Sequence, residues 1–139
     1  MRKHSFTLVE MLIVVVIIAL LASIATPLYF RHLARSRVAT AKLQVNLFEQ
    51  AVNDYRLDVG KLPTQSQGLD ALITKPSDVE SWKGPYIKGI PLDPWNNDYV
   101  YRNPGTRGEF DVLSYGADGR AGGQDEDADI GNWIEREKK

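Results

Sequence analysis

Residues 6–30, FTLVEMLIVVVIIALLASIATPLYF, form an apolar run that holds one carboxylate, Glu10. As a helix rising about 1.5 Å per residue, the run is roughly 37 Å long. A bilayer's hydrocarbon core is about 30 Å thick, so the run can span it with some tilt. A short basic stretch, MRKHS, precedes it. A secretory signal peptide is the competing reading. Such a peptide has an apolar region of about 7–15 residues and then a small-residue cleavage site, and ASIAT offers small residues. Against it, Pro27, Leu28, Tyr29 and Phe30 continue the run, and Glu10 sits inside it. An ionised group at that depth is costly. Read alone, Glu10 is either a side chain that snorkels to the headgroups or an acid that meets a counter-charge. Pro27 removes one backbone donor and frees the Ser23 carbonyl. The hydroxyls of Ser23 and Thr26 can partly repair the loss, and a bend or a locally melted turn is expected there.

The chain has 139 residues, which leaves room for one small domain of roughly 100 residues beyond the span. Its formal net charge of −1 gives no sign of a polyanionic partner, so nucleic acid is not expected. There is no cysteine, which removes disulfides and thiol chemistry together. A small domain without disulfides needs another source of stability, and a bound metal is one candidate.

From residue 33 to residue 58 there is neither Gly nor Pro. Ala41, Val45, Phe48, Val52 and Tyr55 step by four, three, four and three, which makes one apolar stripe of a helix. Gln44, Glu49, Asn53 and Arg56 lie away from it, and Gly60 supplies the stop. A long helix, apolar in its first half and amphipathic in its second, is the expected spine. GLDALITKP then predicts about two helical turns packing Leu69, Leu72 and Ile73, closed by Pro76. Further on the periodicity changes. Residues 99–101 and 110–113 are short β-prone runs, and RNPGTRGE between them has hairpin turn chemistry. The predicted fold class is α+β: the long helix packed on a small antiparallel sheet of about three strands, followed by a C-terminal acidic loop that the resemblance described below implies binds metal.

That loop, residues 115–133, is glycine-rich and holds Asp118, Asp125, Glu126, Asp127 and Asp129. Oxygen ligands in a flexible loop suit calcium. An EF-hand is excluded: counting from Asp125 puts Ile130 where Gly is required and Arg136 where the bidentate Glu belongs. Spacing alone leaves a solvated acidic loop and a metal site both open. An enzyme finds little support. His4 lies in the basic leader and His32 beside the apolar span, and no nucleophile–base arrangement is visible.

SFTLVEMLIVVVIIALLASIATP resembles the N-terminus of type IV pilins and pseudopilins. The shared pattern is a short basic leader, a cleavage site before Phe, then Thr-Leu-x-Glu and a long apolar helix. PLDPWNNDYVY, LPTQSQGLDAL and SYGADG…DADIGNW narrow the resemblance to the major pseudopilins of type II secretion systems. The resemblance implies residues 1–5 as a leader, residues 6–30 as a transmembrane and filament-core helix, and residues 31–139 as a periplasmic domain. It implies a prepilin peptidase that cuts between Ser5 and Phe6 and methylates the new Phe6 amine. Family members nearly always carry Gly at the position of Ser5. Loss of Arg2 and Lys3 would move the net charge from −1 to about −3. Glu10 would pair with the Phe6 amine of a neighbouring subunit on assembly.

The resemblance also implies calcium in the loop, with carboxylates from Asp118 and Asp129 and backbone carbonyls from Tyr115 and Arg120. Many members carry a second Asp where this chain has Ala128, and Asp125, Asp127 or Glu126 would compensate. Asn96 stands where Gly is usual, and Asn tolerates a left-handed backbone. Trp95 and Tyr99 are expected to cover one end of the sheet, and Ile130 and Trp133 to anchor the loop's return to the core. The implied function is the repeated subunit of a short filament rooted in the inner membrane. Its implied partners are further copies of itself, minor pseudopilins, the prepilin peptidase and an inner-membrane assembly platform. The orientation comes from the resemblance alone, because Arg31, Arg35 and Arg37 after the span at least match the leader's charge. A type IV pilin for adhesion, motility or DNA uptake is the second reading. Such pilins commonly close their C-terminal region with a disulfide, which this chain cannot form.

Overall fold

The structure, a computed structural model, describes residues 5–133. Helix α1 covers Leu8–Val59. The chain divides into two compact units, Met1–Arg35 and Ser36–Lys139.

In the first unit every residue of α1 as far as His32 is exposed. Thr7 starts the helix: its hydroxyl accepts the Glu10 N–H at 3.2 Å and its carbonyl the Met11 N–H at 3.2 Å. The melted turn expected at Pro27 does not form, for α1 is helical on both sides of it. Proline's fixed φ is already helical, so the helix runs through it at the cost of one missing donor and the crowding of its ring against the Ser23 carbonyl. The expected repair by hydroxyls also differs. Ser23 Oγ donates to the Leu20 carbonyl at 2.7 Å and Thr26 Oγ1 to the Ala22 carbonyl at 2.8 Å. Both turn back to their own preceding turn, as hydroxyls inside helices do, and neither reaches the carbonyl of Ser23.

The second unit is built on the predicted stripe. Ala41, Val45, Phe48, Val52 and Tyr55 are all buried, joined by Ala51. Each large side chain so buried contributes about 1.5–3 kcal/mol. The helix ends at Gly60, whose φ of +82° suits glycine and whose N–H bonds the Arg56 carbonyl at 2.8 Å.

A three-stranded antiparallel sheet follows, in the order β1-β2-β3. Strand β1 is Val100–Arg102, β2 is Asp111–Ser114 and β3 is Ile130–Gly131. Tyr101 pairs with Val112, and Ser114 with Ile130. Tyr99 lies edge-to-face on Phe48 at 5.1 Å, which joins the start of the sheet to the helical stripe.

Two elements differ from expectation. The two helical turns expected in GLDALITKP are a five-residue 3-10 helix, Gly68–Leu72. At three residues per turn Leu69 and Leu72 share one side, and both are buried while Ile73 is only half-buried. The first two strands lie one residue later than their β-prone runs. Strand β2 is buried at all four positions, including Asp111 and Ser114, so its polar residues hid its limits.

Candidate functional site

Two regions carry the residues singled out by sequence. At the N-terminus Ser5 and Phe6 precede α1, and Phe6 is 68% exposed. Glu10 occupies the third position of the first turn and is exposed. Thr7 and Glu10 have the spacing of a capping box, and half of it forms, from the Glu10 N–H to the Thr7 hydroxyl. Sequence reasoning passed over this pattern, Thr-x-x-Glu before an apolar run. The carboxylate of Glu10 has no hydrogen-bond or ion-pair partner among the described residues. The leader residues 1–4, including Arg2, Lys3 and His4, lie outside the described residues.

The acidic loop is built from its ends inward. Asp93 is 3% exposed and organises the DPWNN turn. Its Oδ1 accepts the N–H groups of Trp95 at 3.0 Å and Asn97 at 2.8 Å, and its Oδ2 accepts the Ser114 hydroxyl at 2.6 Å. Ser114 Oγ in turn accepts the Gly116 N–H at 3.1 Å, and Asn97 donates to the Gly116 carbonyl at 3.0 Å. The turn and the entry to the loop are therefore one hydrogen-bonded unit. Asn96 takes the left-handed backbone expected of it, at φ +67°. Gly116 also has positive φ, and a Cβ there would strike the Glu126 carbonyl and the Asp127 backbone. The Ala117 N–H reaches the Glu126 carbonyl at 2.8 Å and closes the loop's neck.

Beyond the neck the acids separate by role. Asp118 Oδ1 accepts the Arg120 N–H at 3.1 Å, and Asp129 Oδ1 accepts the Gly122 N–H at 3.0 Å. Each keeps a second oxygen. Asp125 and Asp127 bound a short 3-10 helix and are exposed. Glu126, considered as a replacement ligand, is turned elsewhere. Its Oε1 accepts the Trp95 indole N–H at 3.2 Å and lies 3.7 Å from Arg37. Among the described residues no three acidic or histidine side chains lie close enough to share one ion. Tyr115 and Arg120, the expected carbonyl donors, lie within three residues of Asp118 in the chain. Tyr115 itself is half-buried, and its hydroxyl bonds Arg102.

The loop's return follows expectation in part. Ile130 is 4% exposed and belongs to the core. Trp133 is half-buried, with the Arg107 guanidinium 4.3 Å from its ring centroid. Trp95 packs against the core's edge, and Tyr99 is buried within it.

A second buried acid, Asp111, stands at the hairpin. It accepts the Thr106 N–H at 2.6 Å, the Thr106 hydroxyl at 2.8 Å and the Arg107 N–H at 3.3 Å. Burial pushes its carboxyl up. The hydrogen bonds from Thr106, Arg107 and Gly108 outweigh burial and hold it below the ordinary 3.8.

These features coincide with those of known proteins. Residues 1–26 match the prokaryotic N-terminal methylation motif, and residues 29–133 match the family model described as type II secretion system, protein G. The chain belongs to the type II secretion system protein G family. It is 43% identical over 136 residues to the type II secretion system core protein G of Pseudomonas aeruginosa, covering 95% of this chain and 96% of that one. It is 44% identical to the core protein G of Vibrio cholerae, covering 96% and 94%. The crystal structure of the major pseudopilin from the type 2 secretion system of enterohaemorrhagic Escherichia coli superposes with a TM-score of 0.65 at 34% identity. That match covers 73% of this chain and 87% of that one.

Proposed function

We propose that this chain is the repeating structural subunit of a type II secretion pseudopilus, held in the inner membrane before assembly with its C-terminal domain in the periplasm. The observation that carries the reading is the first half of α1. It is an apolar helix, exposed on all sides, that follows a methylation motif and presents Glu10 without a partner among the described residues. In this reading a prepilin peptidase cuts between Ser5 and Phe6 and methylates the Phe6 amine. Glu10 then pairs with the amine of the next copy, which offsets two charges that are costly apart in lipid. Growth on an inner-membrane assembly platform, with minor pseudopilins in the same filament, pushes folded exoproteins across the outer membrane. The role is structural rather than catalytic.

Calcium belongs to the same proposal. Asp118 and Asp129 would hold it, with the Tyr115 and Arg120 carbonyls. Bound there, it would neutralise the loop's acids and tie the loop down. The chain's own residues prepare the site: Asp93, Ser114 and Asn97 fix the neck, and Glu126 is withdrawn to Trp95 and Arg37. The type IV pilin reading has no comparable support, given the family match and the absence of cysteine.

The test is secretion by a strain that lacks its own protein G. The chain restores it, and Glu10→Ala does not, although the variant still enters the membrane. Full secretion with Glu10→Ala would defeat the reading.

A further inference from the structure

Arg31 and Arg35 follow the apolar span directly, and both are exposed. Four residues apart on α1, they share one face of the helix. Among the described residues neither forms an ion pair, whereas Arg37 lies against Glu126. The end of the span before them is aromatic. Tyr29 and Phe30 are 64% and 60% exposed, with their rings edge-to-face at 5.8 Å. Within a few residues the helix passes from aliphatic to aromatic to cationic.

That order matches the layers of a bilayer. Residues 8–30 rise about 34 Å, so a hydrocarbon core of about 30 Å ends near the aromatic pair. An amphipathic ring such as that of Tyr29 favours the boundary, and the next turn and a half reaches the phosphates. A guanidinium binds phosphate oxygens with two parallel hydrogen bonds and stays charged at any physiological pH. These cations also stand at the end of the span where the positive-inside rule gives them no part in an N-inside orientation.

We propose that Arg31 and Arg35 form a binding surface for anionic phospholipid headgroups, in the leaflet at the C-terminal end of the span. The proposal rests on the membrane-anchored reading above. It gives the unassembled subunit a fixed depth, with Tyr29 and Phe30 at the boundary and the two guanidinium groups among the phosphates. Entry into a filament then requires release of those lipids.

The test reconstitutes the full chain in phosphatidylcholine vesicles that carry either spin-labelled phosphatidylglycerol or spin-labelled phosphatidylcholine. Electron paramagnetic resonance reads the fraction of each lipid restricted by contact with the protein. The chain is expected to prefer phosphatidylglycerol, with about fivefold of that preference lost per arginine neutralised. R31Q/R35Q removes the part of the preference that these arginines supply and R31K/R35K keeps some of it. R2Q/K3Q, which neutralises cations at the opposite end, leaves the effect of R31Q/R35Q unchanged. Circular dichroism confirms that each variant remains helical. Equal restriction of both lipids overturns the proposal and leaves the membrane anchor standing. So does a preference that R31Q/R35Q leaves undiminished. If R31Q/R35Q abolishes cross-linking between copies but not lipid preference, the arginines serve subunit contact and the proposal is wrong. If neither lipid is restricted at all, the membrane reading fails and takes the proposal with it.

Discussion

Along residues 8–30 every side chain of α1 is exposed, whereas Ala41, Val45, Phe48, Ala51, Val52 and Tyr55 of the same helix are buried. The second stretch places its apolar residues on one stripe and polar residues elsewhere, so one small sheet can cover it. The first is apolar all round. No single neighbouring element could cover such a surface, which suits it to lipid or to several copies of itself. One helix thus combines a part whose partner lies within the chain with a part whose partners lie outside it.

Substitutions should separate the two stretches. Phe48→Ala removes a fully buried ring and should cost about 3–5 kcal/mol, a large share of such a domain's stability. Ile17→Ala, in the apolar half, should leave unfolding of the second unit unchanged. Denaturant titration of both variants checks this, and a matching loss in Ile17→Ala would break the comparison.

Asp111 should give the next effect. Asp111→Asn weakens several hydrogen bonds to a charged acceptor and should cost about 1.5–3 kcal/mol. Its folded pKa is lowered, so its contribution is present above the ordinary 3.8 and is lost as pH falls through the lowered value. The native domain should therefore weaken below about pH 4, and the variant should show a shallower acid loss in thermal melts.

Chelation probes a smaller term. If the loop holds calcium as proposed, removing it should lower the melting temperature of the second unit by about 5 °C, the order expected from roughly 1 kcal/mol. Asp118→Ala should melt at the chelated temperature whether calcium is added or not. No change on chelation or on calcium addition would remove the metal from the account.

How much of this was legible in the sequence depended on the kind of residue. The core stripe was readable because its spacing leaves little alternative to a helix. The left-handed turn at Asn96 was readable through the resemblance, in which Gly is usual at that position and Asn tolerates the same backbone. Asp93, Asp111 and Ser114 were not, because a buried acid or hydroxyl held by N–H groups looks, in sequence, like a solvated loop residue. Their burial depends on partners up to 21 positions away, such as Ser114 to Asp93. Within the acidic loop, the separation of Glu126 from its neighbours rests on Trp95 and Arg37, which no local spacing reveals. Thr7 was missed for a different reason: its capping pattern was present and was read only as part of a longer motif.

The central claim is that the exposed half of α1 finds its partners in other copies of the chain, with Glu10 meeting the amine of Phe6. It is tested most directly by keeping both residues, placing single cysteines near them at Leu8 and at Leu12 in this cysteine-free chain, and oxidising membranes that contain both variants together. The account predicts a disulfide-linked dimer formed between the two variants and absent when either is expressed alone. Monomer throughout, in cells that still secrete normally, would contradict it.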